Sequence, residues 1–343
     1  MSPTLRTRSK GLSRAIMITS TAILLTLAAG CGSDGPGTTV QPQDTKPPAS
    51  VGHALVFHEA RGKVLLLNAG LGGMDDSREV GKPTRIWEWD GSTWKLIDSS
   101  GPPIRNLAGV AYDSRRNVVI VHGGTASATL NYGETWEWSA TGWAKKSDAG
   151  PGVRSHTGMA FDKARGRAVL FGGQNADATV FPNDTWEWDG TTWTRAATSG
   201  PPARVHHAMG YDPASGHVIL FGGYQPNVAD LGDAWSWDGT KWTQLAGSTP
   251  RTHAQLGLNP VGPAPLVVGG ITPAGPARTM LVFEQNAWRS VGMEGPPTRY
   301  LTAVAYDASR RVLVMYGGGA TEGMALYADT WEFNGTTWQR RAE

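Results

Sequence analysis

From residue 47 onward the chain repeats itself about every fifty residues. A tryptophan closing a short aromatic motif, typified by DTWEWDGTTW at 184–193, recurs at 94, 143, 193, 242, 288 and 338. The spacings are 49, 50, 49, 46 and 50. A second marker keeps the same beat: an apolar run ending in a glycine pair, as in VVIVHGG, AVLFGGQ, VILFGGY, PLVVGGI and VLVMYGG, with VLLLNAG as a worn first copy. Six coincident copies of two independent markers define a tandem array. In such arrays each unit cannot bury its apolar face alone and is completed by its neighbours.

The copy at 201–245 reads as four strands. Strand A is VHHAMGY, and the turn DPASG places Asp, Pro and Gly where a tight hairpin needs them. Strand B is HVILF, closed by Gly222 and Gly223; strand C is DAWSWD and strand D is KWTQL, joined by a turn at Gly239. Six four-stranded antiparallel units in tandem predict an all-β, six-bladed β-propeller, which removes long free edges by radial repetition. The 45 glycines, 22 prolines and 15 tryptophans suit many short strands, tight turns and bulky packing. The blades are expected near 47–97, 98–146, 147–196, 197–245, 246–291 and 292–343. Each is contiguous, which predicts that blade 6 meets blade 1 by face packing alone, without strand exchange.

The order Arg, His, apolar run, Gly-Gly, loop, aromatic, Trp resembles the kelch repeat over residues 47–343. The chain departs from that pattern in its short aromatic hairpin and in its degraded fifth copy, where Leu281 and Phe283 take the first two tryptophan places. Galactose oxidase, a kelch-type copper enzyme, needs a tyrosine cross-linked to a cysteine. The only cysteine here is Cys31, so that chemistry is excluded. WDGTTW is also no sialidase Asp box, because Gly190 directly follows Asp189 and Trp193 is only four residues on. No HExxH, GxSxG, EF-hand loop or phosphate-binding glycine loop occurs. No cofactor and no metal are expected.

Residues 1–30 pair a basic, acid-free leader with the apolar run AIMITSTAILLTL, too short for a comfortable membrane span. The run leads into LAAGC at 27–31, which resembles a bacterial lipoprotein signal whose lipidated residue is Cys31. Gly32 is not the Asp associated with inner-membrane retention, which favours an outer membrane or cell surface. Residues 31–46 are poor in apolar side chains and rich in Gly, Pro, Thr and Gln, as in a flexible tether. Removing the leader takes away Arg6, Arg8, Lys10 and Arg14, leaving 27 basic against 29 acidic residues. That balance lacks the basic footprint of a nucleic-acid binder. The expected protein is a lipid-anchored monomer of the cell envelope.

All 15 tryptophans fall in the aromatic motif. Trp186 and Trp188, two apart on a strand, share a face, so the motif is expected to fill the wedge between blades and not to form a ligand platform. Candidate site residues stand elsewhere. Arg105, Arg154, Arg204, Arg251 and Arg299 precede five A strands, with Ser50 in the first copy. They could ring the channel mouth and bind an anionic ligand, or form inter-blade pairs with Glu88, Glu137, Glu187, Glu284 and Glu332. His156, His206 and His253 occupy one repeat position on the inner strand, two residues after the arginine. Asp113, Asp162, Asp212 and Asp307 start A–B turns and read as turn formers.

The A–B and C–D turns are short and uniform, whereas the B–C loops on the opposite face differ between copies. Variable loops on a rigid scaffold are where binding resides. The expected function is therefore a binding module for protein or glycan, working through the face that carries the B–C and D–A loops. The rival reading is a carbohydrate epimerase, mutarotase or lyase at the channel mouth, with acid–base groups drawn from His156, His206, His253, Asp75, Asp76 or Glu322.

Overall fold

Each repeat forms one antiparallel sheet from four consecutive strands, lettered A to D from the axis outward. The computed structural model describes residues 45–67, 79–262, 264–320 and 325–343. The leader, Cys31, the tether up to residue 44, Asp75, Asp76 and Glu322 lie outside the described residues.

Blade 1 comprises Ala54–His58, Lys63–Leu67, Ile86–Trp89 and Trp94–Asp98. Blade 2 comprises Gly109–Asp113, Val118–His122, Thr135–Ser139 and Gly142–Ser147. Blade 3 comprises Gly158–Asp162, Arg167–Phe171, Thr185–Trp188 and Trp193–Ala197. Blade 4 comprises Ala208–Asp212, His217–Gln225, Ala229–Trp237 and Trp242–Leu245. Blade 5 comprises Gln255–Leu258, Pro265–Val268, Thr279–Glu284 and Ala287–Gly292. Blade 6 comprises Ala303–Asp307, Val312–Tyr316, Thr330–Phe333 and Trp338–Ala342. Every A strand touches the A strands of both neighbouring blades, and A of blade 6 touches A of blade 1. The six therefore close a ring around an axis.

The core sits between blades. The B strands alternate with period two, so Val64 and Leu66 pack toward blade 6 while Leu65 and Leu67 pack toward blade 2. All six apolar clusters draw on two adjacent blades. Thirteen of the fifteen tryptophans belong to these clusters; Trp136 and Trp186, expected to join them, stay outside and donate to Glu134 and Asp184. Trp188 and Trp193 pair across the C–D hairpin with ring centres 5.4 Å apart, filling the wedge toward blade 2. The turn aspartates act as expected: Asp113 Oδ1 accepts the backbone N–H groups of Arg115 and Arg116, at 2.9 and 3.1 Å.

Polar contacts repeat around the ring. In three blades the second indole donates to a glutamate of the blade before it, Trp188 to Glu137 at 2.9 Å, Trp237 to Glu187 at 2.7 Å and Trp89 to Glu332 at 2.9 Å, whereas Trp138 of blade 2 reaches Asp98 at 2.7 Å. The third indole donates to a threonine of that preceding blade, with Trp193 to Thr135, Trp242 to Thr185 and Trp94 to Thr330 all at 2.8 Å. The glycine pair supplies a third link, since Gly124, Gly173, Gly223, Gly270 and Gly318 donate their N–H to a carbonyl at the start of the next blade. At Gly123 φ is +68°, and a Cβ would lie 2.3 Å from the Arg154 carbonyl oxygen. Only glycine meets both demands.

Ring closure uses the same contacts. Trp89 and Trp94 of blade 1 reach Glu332 and Thr330 of blade 6, and Gly318 donates to the Ser50 carbonyl at 3.0 Å. Blade contiguity follows the sequence reading, but face packing is not alone: it is joined by this hydrogen-bonded set.

Candidate functional site

Strand A begins later than its sequence pattern suggests. In blade 4 it starts at Ala208, because His206 adopts φ +55° and turns the chain out of the sheet. The same left-handed conformation occurs at Gly52, Leu107, His156, His253 and Leu301, the equivalent positions of the other blades. Four consecutive-blade links join this ring: Leu107 N–H to Gly52 O, His156 to Leu107, His253 to His206 and Leu301 to His253, at 2.8 to 3.1 Å. The histidines thus stand on a turned segment at the mouth of the channel, and not on the inner strand.

All six of these residues line a cavity of about 160 Å³ on the axis. The three histidines come together there. His156 meets His206 edge-on at 4.5 Å, and His206 stacks on His253 at 3.7 Å. His156 Nδ1 contacts Ser155 Oγ and His253 Nδ1 contacts Thr252 Oγ1, each at 2.9 Å. Burial, with a smaller contribution from His253, pushes the His156 pKa down to about 4. Burial takes His253 to about 4 and His206 well below its usual value. Such neutral imidazoles are poorly matched to general acid–base work near neutral pH. Among the described residues no group of three or more His, Cys, Asp or Glu is arranged to hold a metal ion.

The five arginines do not line that cavity. They are buried, with 0 to 4% of their surface exposed. Four hold a carboxylate of their own blade: Arg105 with Glu134 at 2.9 Å, Arg154 with Asp184 at 3.0 Å, and Arg204 with Asp233 and Arg299 with Asp329 at 2.7 Å. The first indole of the blade shares the acid, as where Trp186 donates to Asp184 at 2.8 Å. Burial alone would raise the Glu134 carboxyl, but the hydrogen bond and charge of Arg105, joined by the Glu134 backbone N–H and Trp136, outweigh it and bring it down to about 2. Arg251 meets Thr279 instead of an acid.

This corrects the expected inter-blade pairing. Glu137, Glu187 and Glu332 pair with Arg116, Arg165 and Arg310 of the A–B turns and with the indoles of the following blade. Glu88 likewise pairs with Arg61. Glu284 is not equivalent to them: Phe283 faces Trp288 across the hairpin, so Val282 takes the glutamate's place. The true partners, two residues ahead of the first tryptophan, were visible as GETWEW, NDTWEW, GDAWSW and ADTWEF.

Around the mouth the B–C loops build a raised rim. Backbone bridges tie the loops of blades 2 to 5 to the segment entering strand A, at Asn106–Thr125, Ser155–Gln174, Val205–Tyr224 and Thr252–Ile271. In blade 4 the B and C strands extend into the rim as a long hairpin to Gln225 and Ala229. Between the loops of blades 2 and 3 lies a groove of about 290 Å³, lined by Leu107, Thr125, Asn131, His156, Gln174 and Asp177 among others, and sharing Leu107 and His156 with the axial cavity.

The exposed large apolar side chains are distributed unevenly. Val80, Leu130, Val153, Val180, Tyr224 and Val228 all lie on B–C or D–A segments, with Val180 56% and Val228 68% exposed. Only Val261, in an A–B turn, lies on the opposite face among the described residues.

The family model described as the KLHDC2/KLHL20/DRC7 Kelch-repeats domain matches residues 155–342. No curated protein gives a significant match. Among the described residues no helix is long and apolar enough to cross a membrane.

Proposed function

Because this chain belongs to the kelch-repeat family, matched across more than half its length, we propose that it is a protein-binding module that captures its partner on the B–C and D–A loop face. The carrying observation is that six of the seven exposed large apolar side chains in the described residues stand on that one face. Apolar side chains gathered on a polar rim around a depression fit a recognition surface. The groove between blades 2 and 3 offers hydroxyl and amide groups for orienting the partner, beside apolar contacts from Leu130 and Val180. The buried arginines act as the scaffold beneath that face.

The LAAGC sequence supports export and lipid attachment at Cys31, with the tether carrying the propeller at the membrane surface. Cross-linking from photo-reactive residues at Val180 and Val228, set against Val261 on the other face, tests the binding surface. Capture of a defined protein from the first two sites, lost in Val180→Asp with Val228→Asp, is expected. Equal capture from Val261, or turnover on a sugar panel abolished by His206→Asn, would overturn the reading. Cys31→Ser is expected to abolish incorporation of a palmitate analogue.

A further inference from the structure

Blade 5 keeps the arginine of the repeated ion pair but lacks its acid. In blades 2, 3, 4 and 6 that arginine binds Glu134, Asp184, Asp233 or Asp329. The tryptophans Trp136, Trp186, Trp235 and Trp331 share the same carboxylates. In blade 5 the acid's place is taken by Thr279 and the indole's by Leu281. Two groups that fill this position in those four blades are thus missing together.

Arg251 is nevertheless buried, with 2% of its surface exposed. Its Nη1 donates to the Thr279 carbonyl at 2.8 Å and its Nη2 to Thr279 Oγ1 at 3.3 Å. Its Nε has no partner. In Arg105, Arg154, Arg204 and Arg299 that nitrogen donates to a proline carbonyl two or three residues earlier. The shorter blade 5 has only Pro250 immediately before the arginine. No carboxylate among the described residues pairs with this guanidinium. Burial correspondingly pushes its pKa down to about 10.

A buried cation without a counter-charge is strongly disfavoured, and the same guanidinium in four sister blades has one. We infer that Arg251 and Thr279 form a binding site for a monovalent inorganic anion, chloride in ordinary media, that stands in for the missing carboxylate. The N–H groups of Arg251 and the hydroxyl of Thr279 supply donors suited to a halide. The near-complete burial of Arg251 excludes the side chain of a partner as the counter-charge, so the site is independent of the loop-face reading.

The test compares thermal unfolding of the full chain in sodium chloride and in sodium isethionate at equal ionic strength, for the native protein and for Thr279→Asp. The native protein is expected to melt a few degrees higher in chloride, through preferential binding to the folded state. Thr279→Asp, which restores the acid of the sister blades, is expected to melt at least as high and to lose the chloride dependence. Crystals soaked in bromide are expected to show anomalous scattering beside Arg251 Nε. Equal melting of the native protein in both salts, an undiminished chloride response in Thr279→Asp, or no bromide peak at that position overturns the inference.

Discussion

Trp188 of blade 3 donates its indole N–H across 2.9 Å to Glu137 of blade 2, and the same carboxylate is gripped by Arg116 at 2.7 and 3.0 Å. One buried acid thus joins an A–B turn, an outer strand and the neighbouring blade. Because the contact recurs, its energetics bear on the whole ring.

Glu137→Ala is expected to destabilise the protein by about 2 kcal/mol, since it leaves the buried Trp188 indole without its acceptor while Arg116 keeps Asp113. Trp188→Phe should cost about 1–2 kcal/mol, and the double variant less than the sum. Denaturant unfolding of the four proteins checks this. Strict additivity would mean that the two residues are not coupled.

Stability should rise where a missing acceptor is restored. The third indole is satisfied where the preceding blade offers threonine, but Trp143, Trp288 and Trp338, which follow Ile86, Ala234 and Met280, have unpartnered Nε1 atoms. Ala234→Thr places a hydroxyl and a β-branched side chain on strand C beside Trp288. A gain of about 1 kcal/mol is expected, read as an increase in denaturant midpoint at constant m-value. A loss instead would show that the site is too tight for the added atoms.

Acid should weaken the fold before ordinary carboxylates titrate. Burial holds His53, His156 and His253 at about 4 and His122 and His207 at about 3, and keeps His206 well below its usual value. Their folded pKa values lie below the unfolded value of about 6.5, so the unfolded chain binds more protons between those limits. The stability they contribute is complete above about pH 6.5 and is lost as pH falls toward 4. Melting temperature measured from pH 7.5 to 4 should therefore decline throughout. The decline should be shallower in His156→Asn/His206→Asn/His253→Asn, whose asparagines tolerate positive φ. An unchanged slope in that variant would place the proton uptake elsewhere.

The closing interface should be no weaker than an internal one. Trp89 binds Glu332 at 2.9 Å across the junction of blades 6 and 1, as Trp237 binds Glu187 at 2.7 Å between blades 4 and 3. Trp89→Phe and Trp237→Phe are accordingly expected to cost the same to within about 0.5 kcal/mol in denaturant unfolding. A much larger loss for Trp89→Phe would show that the closing junction depends more heavily on this contact than an internal interface does.

The repeat made the architecture legible. Strand period, turn residues and the spacing of VILFGGY and DTWEWDGTTW define four strands per unit, and local chemistry carries them over unaided. The fifth copy was harder. Placing Leu281 and Phe283 at the first two tryptophan positions already puts Val282 between them. Glu284 nonetheless groups with the other glutamates by residue type until the pairing of Phe283 with Trp288 fixes the register.

The sequence by itself determined a six-unit array and the confinement of loop variation to one face, because both follow from periodicity along the chain. It also determined that most tryptophans pack between blades, since side chains two apart on a strand share a face, although Trp136 and Trp186 stay outside the apolar clusters. Tertiary structure decided the partners of the arginines. Arg154 and Asp184 are thirty residues apart, and only the packing of strand A's entry against strand C brings them to 3.0 Å. It also decided that His156, His206 and His253 meet. Their contact depends on three left-handed turns from three separate sheets converging on one axis, a relation no local pattern encodes.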